Sequence, residues 1–318
     1  MTDHIICVRR IKNGAFDPEP SDPGTARFLE VPENAPDIDP SHENSAKKSW
    51  TLKVLEEAKA KPGGKTGDIL FFVHGFNTET RVMLQRHRKI RAKLASAGFK
   101  GAIVSFDWPS DNKAINYLED RWDAKKSALK LVEQGIRRFV DYQQDDCEIN
   151  LHILAHSMGA YVLREAFDDA DDVARIASVS WSVSQVMVIS GDISASSLGE
   201  GRSKSSSLYR HTVRLTNYFN PYDDVLKLSN VKRIGVSPRV GRIGLPDKTP
   251  QKAVNVNCGA YYRAHEDRFA GGHYPSHNWY FEDQKFFDDV YATIKGDIDR
   301  HLIPTRAAGS DGGLHLAP

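Results

Sequence analysis

Ser157, in Ile153-Leu154-Ala155-His156-Ser157-Met158-Gly159, has on either side the residues that a nucleophilic hydroxyl needs. A small residue stands two positions before it and another two after, the pattern of a serine on a sharp strand-to-helix turn, with alanine in the first glycine position. Such a turn aims the hydroxyl away from a sheet while the small residues let strand and helix approach. The next amide, from Met158, would lie at a helix N-terminus and donate to an oxyanion. A short pattern of this kind also arises by chance, and a serine capping an ordinary helix has the same look. The apolar run Ile149-Asn150-Leu151-His152-Ile153-Leu154 before it and an amphipathic stretch after it favour the nucleophile.

Upstream, Phe71-Phe72-Val73-His74-Gly75-Phe76-Asn77 ends a buried run on a His-Gly pair, which fits a loop supplying a second oxyanion amide from Phe76. Each such donor is worth about 3 kcal/mol in the transition state. His74 precedes the serine, the wrong order for the base, and is expected to hold the loop. A serine nucleophile needs a base, and the base an orienting acid. Asn220-Pro221-Tyr222-Asp223-Asp224-Val225-Leu226 is a turn with two carboxylates. Asp223 is preferred as the acid because a helix follows at once; Asp224 would cap it, and Asp192, after an earlier strand, is a rival. For the base, His265, His273 and His277 all come late in the chain. His277 stands at the entrance to a helix and is the first choice; His273, beside Gly271-Gly272, is the second. Their spacing could suit a metal pair, but Pro275 between them disfavours the helix this needs. Gly64-Lys65-Thr66 lacks the earlier glycine of a P-loop, and Gly199-Glu200-Gly201 lacks the third glycine and preceding strand of a dinucleotide site.

The elements that must position these residues alternate. Strands are expected over Ile5–Ile11, Asp68–His74, Ala102–Phe106, Ile149–Ala155, Val183–Ile189, Thr212–Thr216 and, as the last, Ala253–Asn257. Helices are expected over Ser45–Ala60 (stopped by Pro62-Gly63-Gly64), Glu79–Ala97, Ala124–Tyr142, from Ser157 to Phe167, and Asn278–Ile294. Continuous apolar strands between helices predict an α/β fold, a mostly parallel sheet with helices on both faces. Residues 1–48, with Pro18, Pro20, Pro23, Pro32, Pro36 and Pro40, read as an irregular N-terminal arm with a first strand. Residues 49–303 form the main domain, and 304–318 read as a disordered tail. The Ser/Gly-rich segment Gly191–Ser207 allows only a minimal lid.

With 318 residues, 40% of them hydrophobic, the chain can bury one large α/β core. Forty-three basic against 42 acidic residues leave a net charge of +1, which gives no nucleic-acid footprint. The cluster Arg86-His87-Arg88-Lys89-Ile90-Arg91 reads as the solvated face of a helix whose apolar stripe is Val82, Leu84, Ile90 and Leu94. Cys7, Cys147 and Cys258 encode neither a disulfide framework nor a zinc site. No leader is read at the N-terminus, and no apolar run approaches the roughly eighteen residues of a membrane span. A cytoplasmic protein is expected, with no cofactor or metal.

Phe72-Val73-His74-Gly75-Phe76-Asn77, Phe106-Asp107-Trp108-Pro109-Ser110, Tyr117, Asp120 and Leu154-Ala155-His156-Ser157-Met158-Gly159 together resemble the bacterial α/β-hydrolase family of unknown function DUF900. The similarity is strongest from Ile69 to Phe167. It continues through Asp223-Asp224-Val225-Leu226 and His277-Asn278-Trp279-Tyr280-Phe281, and so supports Asp223 and His277. The resemblance implies an α/β-hydrolase fold and hydrolase chemistry, with no settled substrate. Asp107 stands where that family usually has a small or polar residue, and the N-terminal arm has no evident counterpart. The combined reading is a carboxylesterase-like serine hydrolase with Ser157, His277 and Asp223 as its triad and Phe76 and Met158 as its oxyanion donors. Its substrate would be a small-molecule ester, or less readily a thioester or amide. The rival is a catalytically idle α/β-hydrolase scaffold that binds a small molecule or a protein.

Overall fold

The computed structural model of the protein describes residues 2–19, 22–59, 61, 63–110, 117–140, 148–231 and 238–318. Pro62, Cys147 and the side chains of Tyr117 and Asp120 lie outside the described residues. The apolar runs form the strands of one ten-stranded sheet. These are β1 (Thr2–Cys7), β2 (Arg27–Pro32), β3 (Thr66–Val73), β4 (Ala102–Asp107) and β5 (Glu148–His156), then β6 (Val183–Ile189), β7 (Thr212–Phe219), β8 (Ala253–Asn257), β9 (Arg306–Ala308) and β10 (Leu314–Leu316). Their spatial order is β9-β10-β8-β7-β6-β5-β3-β4-β1-β2. Pairing is parallel from β10 to β1 and antiparallel only where β2 and β9 close the two edges. In β3 the five residues Ile69 to Val73 are wholly buried, each side chain contributing roughly 1.5–3 kcal/mol.

Both faces are covered, as continuous apolar strands require. Helices α1 (Lys47–Ala58), α3 (Tyr117–Lys130), α4 (Gly159–Asp172) and α5 (Ser203–Arg210) pack on one side. Helices α2 (Thr80–Ala97), α7 (Gly259–Phe269) and α8 (Gln284–Lys295) pack on the other, and α6 (Asp224–Val231) follows β7 at the sheet's carboxyl end. The segment after β6 is short and packs down, with Ala195 and Leu198 buried in a 3₁₀ turn, so the lid is minimal.

Several expectations are corrected. The arm is not merely irregular, because β2 returns to pair with β1 and both lie in the main sheet. Strand β1 stops at Cys7 rather than Ile11. The basic cluster on α2 is not a solvated face: His87 is buried, and Arg88 and Arg91 both bond to the buried Asp3 at the start of β1. The single late helix is interrupted. Pro275 opens a one-turn helix to Asn278, a 3₁₀ turn follows, and the Asp283 side chain then caps α8 by accepting the Phe286 amide at 2.7 Å. Helix α7 was not anticipated, and β8 is not the last strand.

The tail carries β9 and β10 instead of being disordered. Its anchor is Arg306, whose buried guanidinium donates to Asp289 (2.7 and 2.9 Å), to Thr293 Oγ1 (2.6 Å) and to the Tyr218 hydroxyl (3.1 Å). Composition alone misses this because the contacts that hold the tail, the Arg306–Asp289 pair and the buried Leu316 in the sheet, are made with other elements. Removing one partner of such a pair strands the other charge at about 3–5 kcal/mol. Arg306→Met is therefore expected to lower unfolding free energy by about that much in urea titrations; a change below about 1 kcal/mol would show that the tail is not anchored there.

Candidate active site

Strand β5 delivers Ser157 at the carboxyl end of the sheet, and α4 leaves from Gly159. The turn is tight enough that Ser157 adopts φ +55°, a left-handed conformation that costs an ordinary residue about 1–2 kcal/mol. Hydrogen bonds hold it there: the Ser157 amide donates to Ile189 O (3.0 Å), and the Ser157 carbonyl accepts from Asp192 N and Ala160 N (3.0 and 3.1 Å). Glycine is required at two contacts. A Cβ on Gly159 would lie 2.3 Å from the Val73 carbonyl oxygen, and one on Gly75 would lie 2.7 Å from Ser157 Cβ. The elbow and the His74-Gly75 loop are thus in direct contact, and Asn77 at φ +52° turns the chain just after Phe76.

The structure brings Asp223 and His277 together. His277 Nδ1 and Asp223 Oδ2 are 2.7 Å apart, and both residues are buried. The second carboxylate oxygen accepts the Leu226 amide (3.0 Å), so Asp223 also caps α6. Asp224, read as the possible cap, is exposed. Asp192 is committed elsewhere, 2.9 Å from Arg239 Nε. His273 is exposed, and His265 lies on α7 with Nδ1 against the Tyr261 carbonyl. Two clamps absent from the sequence reading fix the acid turn to the histidine turn. Asn220 Nδ2 donates to Ser276 O (2.9 Å), and Ser276 Oγ accepts the Asp224 amide (3.2 Å).

His156, beside the serine, joins His277 to the elbow. Its Nε2 donates to the His277 carbonyl (3.2 Å), and the two rings are centred 4.7 Å apart. The proton is therefore on Nε2, leaving the buried Nδ1 without a hydrogen-bond partner among the described residues. Burial holds His156 well below the usual histidine range, and His277 and Arg86 push the same way. Arg86 reaches from α2 to Asn278 Oδ1 (2.9 Å) and lies over the Phe281 ring; burial lowers it to about 10.

His74 occupies the place expected of it, under the loop. Its Nδ1 is 2.9 Å from Gly75 O, its Nε2 3.1 Å from Asp107 Oδ1, and its ring stacks on Trp108. Asp107 is wholly buried and pairs with Arg9. Burial alone would raise its carboxyl, but Arg9 and then His74 hold it well below the carboxylate range. His74, expected to hold the loop, and Asp107, a carboxylate at the end of a wholly buried strand, are the sequence signals for this cluster; nothing local marks Arg9. Among the described residues, no three His, Cys, Asp or Glu side chains converge to hold a metal ion, and no helix is long and apolar enough to cross a membrane.

The model of the family described as "Alpha/beta hydrolase of unknown function (DUF900)" matches residues 43–260, more than half of the chain. An uncharacterized protein from Nostoc sp. is 34% identical over 62 residues, which make up 20% of this chain and 15% of that protein's length. Among solved structures, a "cell surface hydrolase" from Lactobacillus plantarum is similar at 11% identity and TM-score 0.36, over 73% of this chain and 91% of the other. A cutinase from Trichoderma reesei, in complex with a phosphonate inhibitor, is similar at 13% identity and TM-score 0.32, over 78% and 83%.

A histidine held neutral in the folded state and free to titrate when unfolded makes stability depend on pH. The unfolded chain takes up a proton below about pH 6.5 that the folded protein refuses, so stability falls as pH drops through that value. His74 and His87, both lowered chiefly by burial, have the same sign. The thermal midpoint is therefore expected to be lower at about pH 5 than at about pH 7. The difference should shrink in His156→Asn, and an undiminished pH dependence in that variant would remove His156 as a cause.

Proposed function

The chain belongs to the DUF900 family of α/β-hydrolases, and from that premise we propose that it is a serine hydrolase of carboxylesterase type. The observation that supports this best is the 2.7 Å Asp223–His277 contact, held beside the strained strand-to-helix serine by His156. With Nδ1 engaged by Asp223, the imidazole keeps the tautomer whose Nε2 can take a proton. Ser157 Oγ attacks the acyl carbonyl of an ester and passes its proton to His277 Nε2. The developing oxyanion is received by the amides of Phe76 and Met158. Collapse of the tetrahedral intermediate breaks the ester C–O bond, and His277 returns the proton to the departing alcohol. Water then hydrolyses the acyl-enzyme by the same route, releasing the acid. A thioester or amide fits the same steps with a different leaving group.

A fluorophosphonate probe tests the assignment. The wild-type protein is expected to label on one serine, and Ser157→Ala to abolish labelling. No labelling beside active controls returns the chain to an idle scaffold that binds a ligand or protein; labelling that survives Ser157→Ala moves the nucleophile elsewhere.

On 4-nitrophenyl esters of graded chain length, His277→Ala and Asp223→Asn are expected to lower kcat by about 10⁴-fold. His273→Ala, at an exposed position, should leave turnover intact. The reverse pattern between the two histidines would transfer the role of base.

A further inference from the structure

Five residues, His74 to Thr78, carry the proposed Phe76 donor, and their backbone is gripped at both ends. At the first end, Trp108 Nε1 donates to the His74 carbonyl (2.9 Å) and the two rings stack. At the far end, the Thr78 carbonyl accepts from Arg9 Nη2 (2.9 Å) and from Ser110 Oγ (3.2 Å). Arg9 is nearly wholly buried, just past the end of β1. Its guanidinium also grips Asp107, Nε to Oδ2 at 2.8 Å and Nη2 to Oδ1 at 3.1 Å. Asp107 in turn touches His74 Nε2 and accepts from the Cys7 thiol. The arm covers this junction: Gly24 donates to Val8 O at 2.7 Å, and a Cβ there would lie 2.9 Å from Arg9 O.

We propose that Arg9, outside the segment matched to the family model, is a positioning residue for the oxyanion hole, acting through the Thr78 carbonyl and Asp107 to fix the His74–Thr78 loop. The inference rests on the reading of Phe76 as an oxyanion donor. Joining β1 to β4 does not by itself call for a buried ion pair, since apolar residues of like volume do as well or better once desolvation is counted. What an apolar pair cannot do is donate to a loop carbonyl. A planar fork can bind a carboxylate and still spend a proton on a third acceptor. An oxyanion donor must sit within a few tenths of an ångström of its place, and a short loop pinned at both ends meets that demand.

The test compares wild type with Arg9→Met/Asp107→Leu, which removes both charges at once, and with Arg9→Lys, which keeps a charge on Asp107 without the fork. Each is assayed as folded full-length protein on a 4-nitrophenyl ester, with sites counted by fluorophosphonate. Affinity for an alkyl boronic acid, whose tetrahedral adduct places an oxygen in the hole, is measured in parallel. Both variants are expected to keep KM within about twofold while kcat and boronic acid affinity fall together by about tenfold, part of the roughly 10²–10³ that deleting a donor costs. A purely structural role would lower the thermal midpoint and leave those two quantities at wild-type values per labelled site. Wild-type kcat in either folded variant overturns the proposal alone; an inactive, unlabelled wild-type protein overturns the serine-hydrolase reading and this inference with it.

Discussion

Between β5 and α4 the backbone turns so closely against β3 that Gly159 has no room for a side chain beside the Val73 carbonyl. This crossing constrains everything built around it. It forces Ser157 into the left-handed region, and only the hydrogen bonds from β6 and the start of α4 make that conformation tolerable. It also sets the distance to the His74-Gly75 loop, since Gly75 touches Ser157 directly. A strained residue persists only where its surroundings over-determine it, and here two strands and a helix do so.

Across the fold, charge is buried in pairs and histidine rings serve as struts. Arg9 with Asp107 and Arg306 with Asp289 each take a guanidinium out of water and hydrogen-bond it to a carboxylate. Such pairs stabilise little compared with apolar packing but fix direction, because a fork accepts only a few geometries. His156 does the same without net charge, since burial holds it well below the usual histidine range and its ring donates to the His277 carbonyl; the His74 ring bridges the Gly75 carbonyl and Asp107. The result is a seat in which the His74 loop touches Ser157, and the Asp223 and His277 turns are bonded to each other and, through His156, to the residue beside the serine.

The two ends of the chain finish the sheet. Strand β2 closes one edge and the β9–β10 ribbon the other, both antiparallel. An open edge on a parallel core would present unpaired backbone groups, and segments outside the family-matched region supply the cover. That gives the arm and tail a structural purpose, and in Arg9 the arm reaches the carbonyl of Thr78 at the end of the His74 loop.

Much of this was legible from residue order alone. The apolar runs Ile69–Val73 and Ile149–Leu154, the His74-Gly75 pair and the small residues flanking Ser157 are local signals, because the contacts that require them lie within one strand, one turn or the next helix. They specify a parallel sheet with a serine at its carboxyl end. The partners were narrowed but left open, since Asp223 and His277 are 54 positions apart and no local rule distinguishes them from Asp192 or His273. Folding discriminates through burial and reach: Asp192 is taken by Arg239, His273 faces solvent, and Asp223 meets His277. The pairing of Arg9 with Asp107, 98 positions apart, and of Arg306 with Asp289 leaves no such local mark, even though Asp107 itself stands out. An ion pair buried between distant segments leaves no periodicity in either, so only the packed tertiary structure decides that it forms.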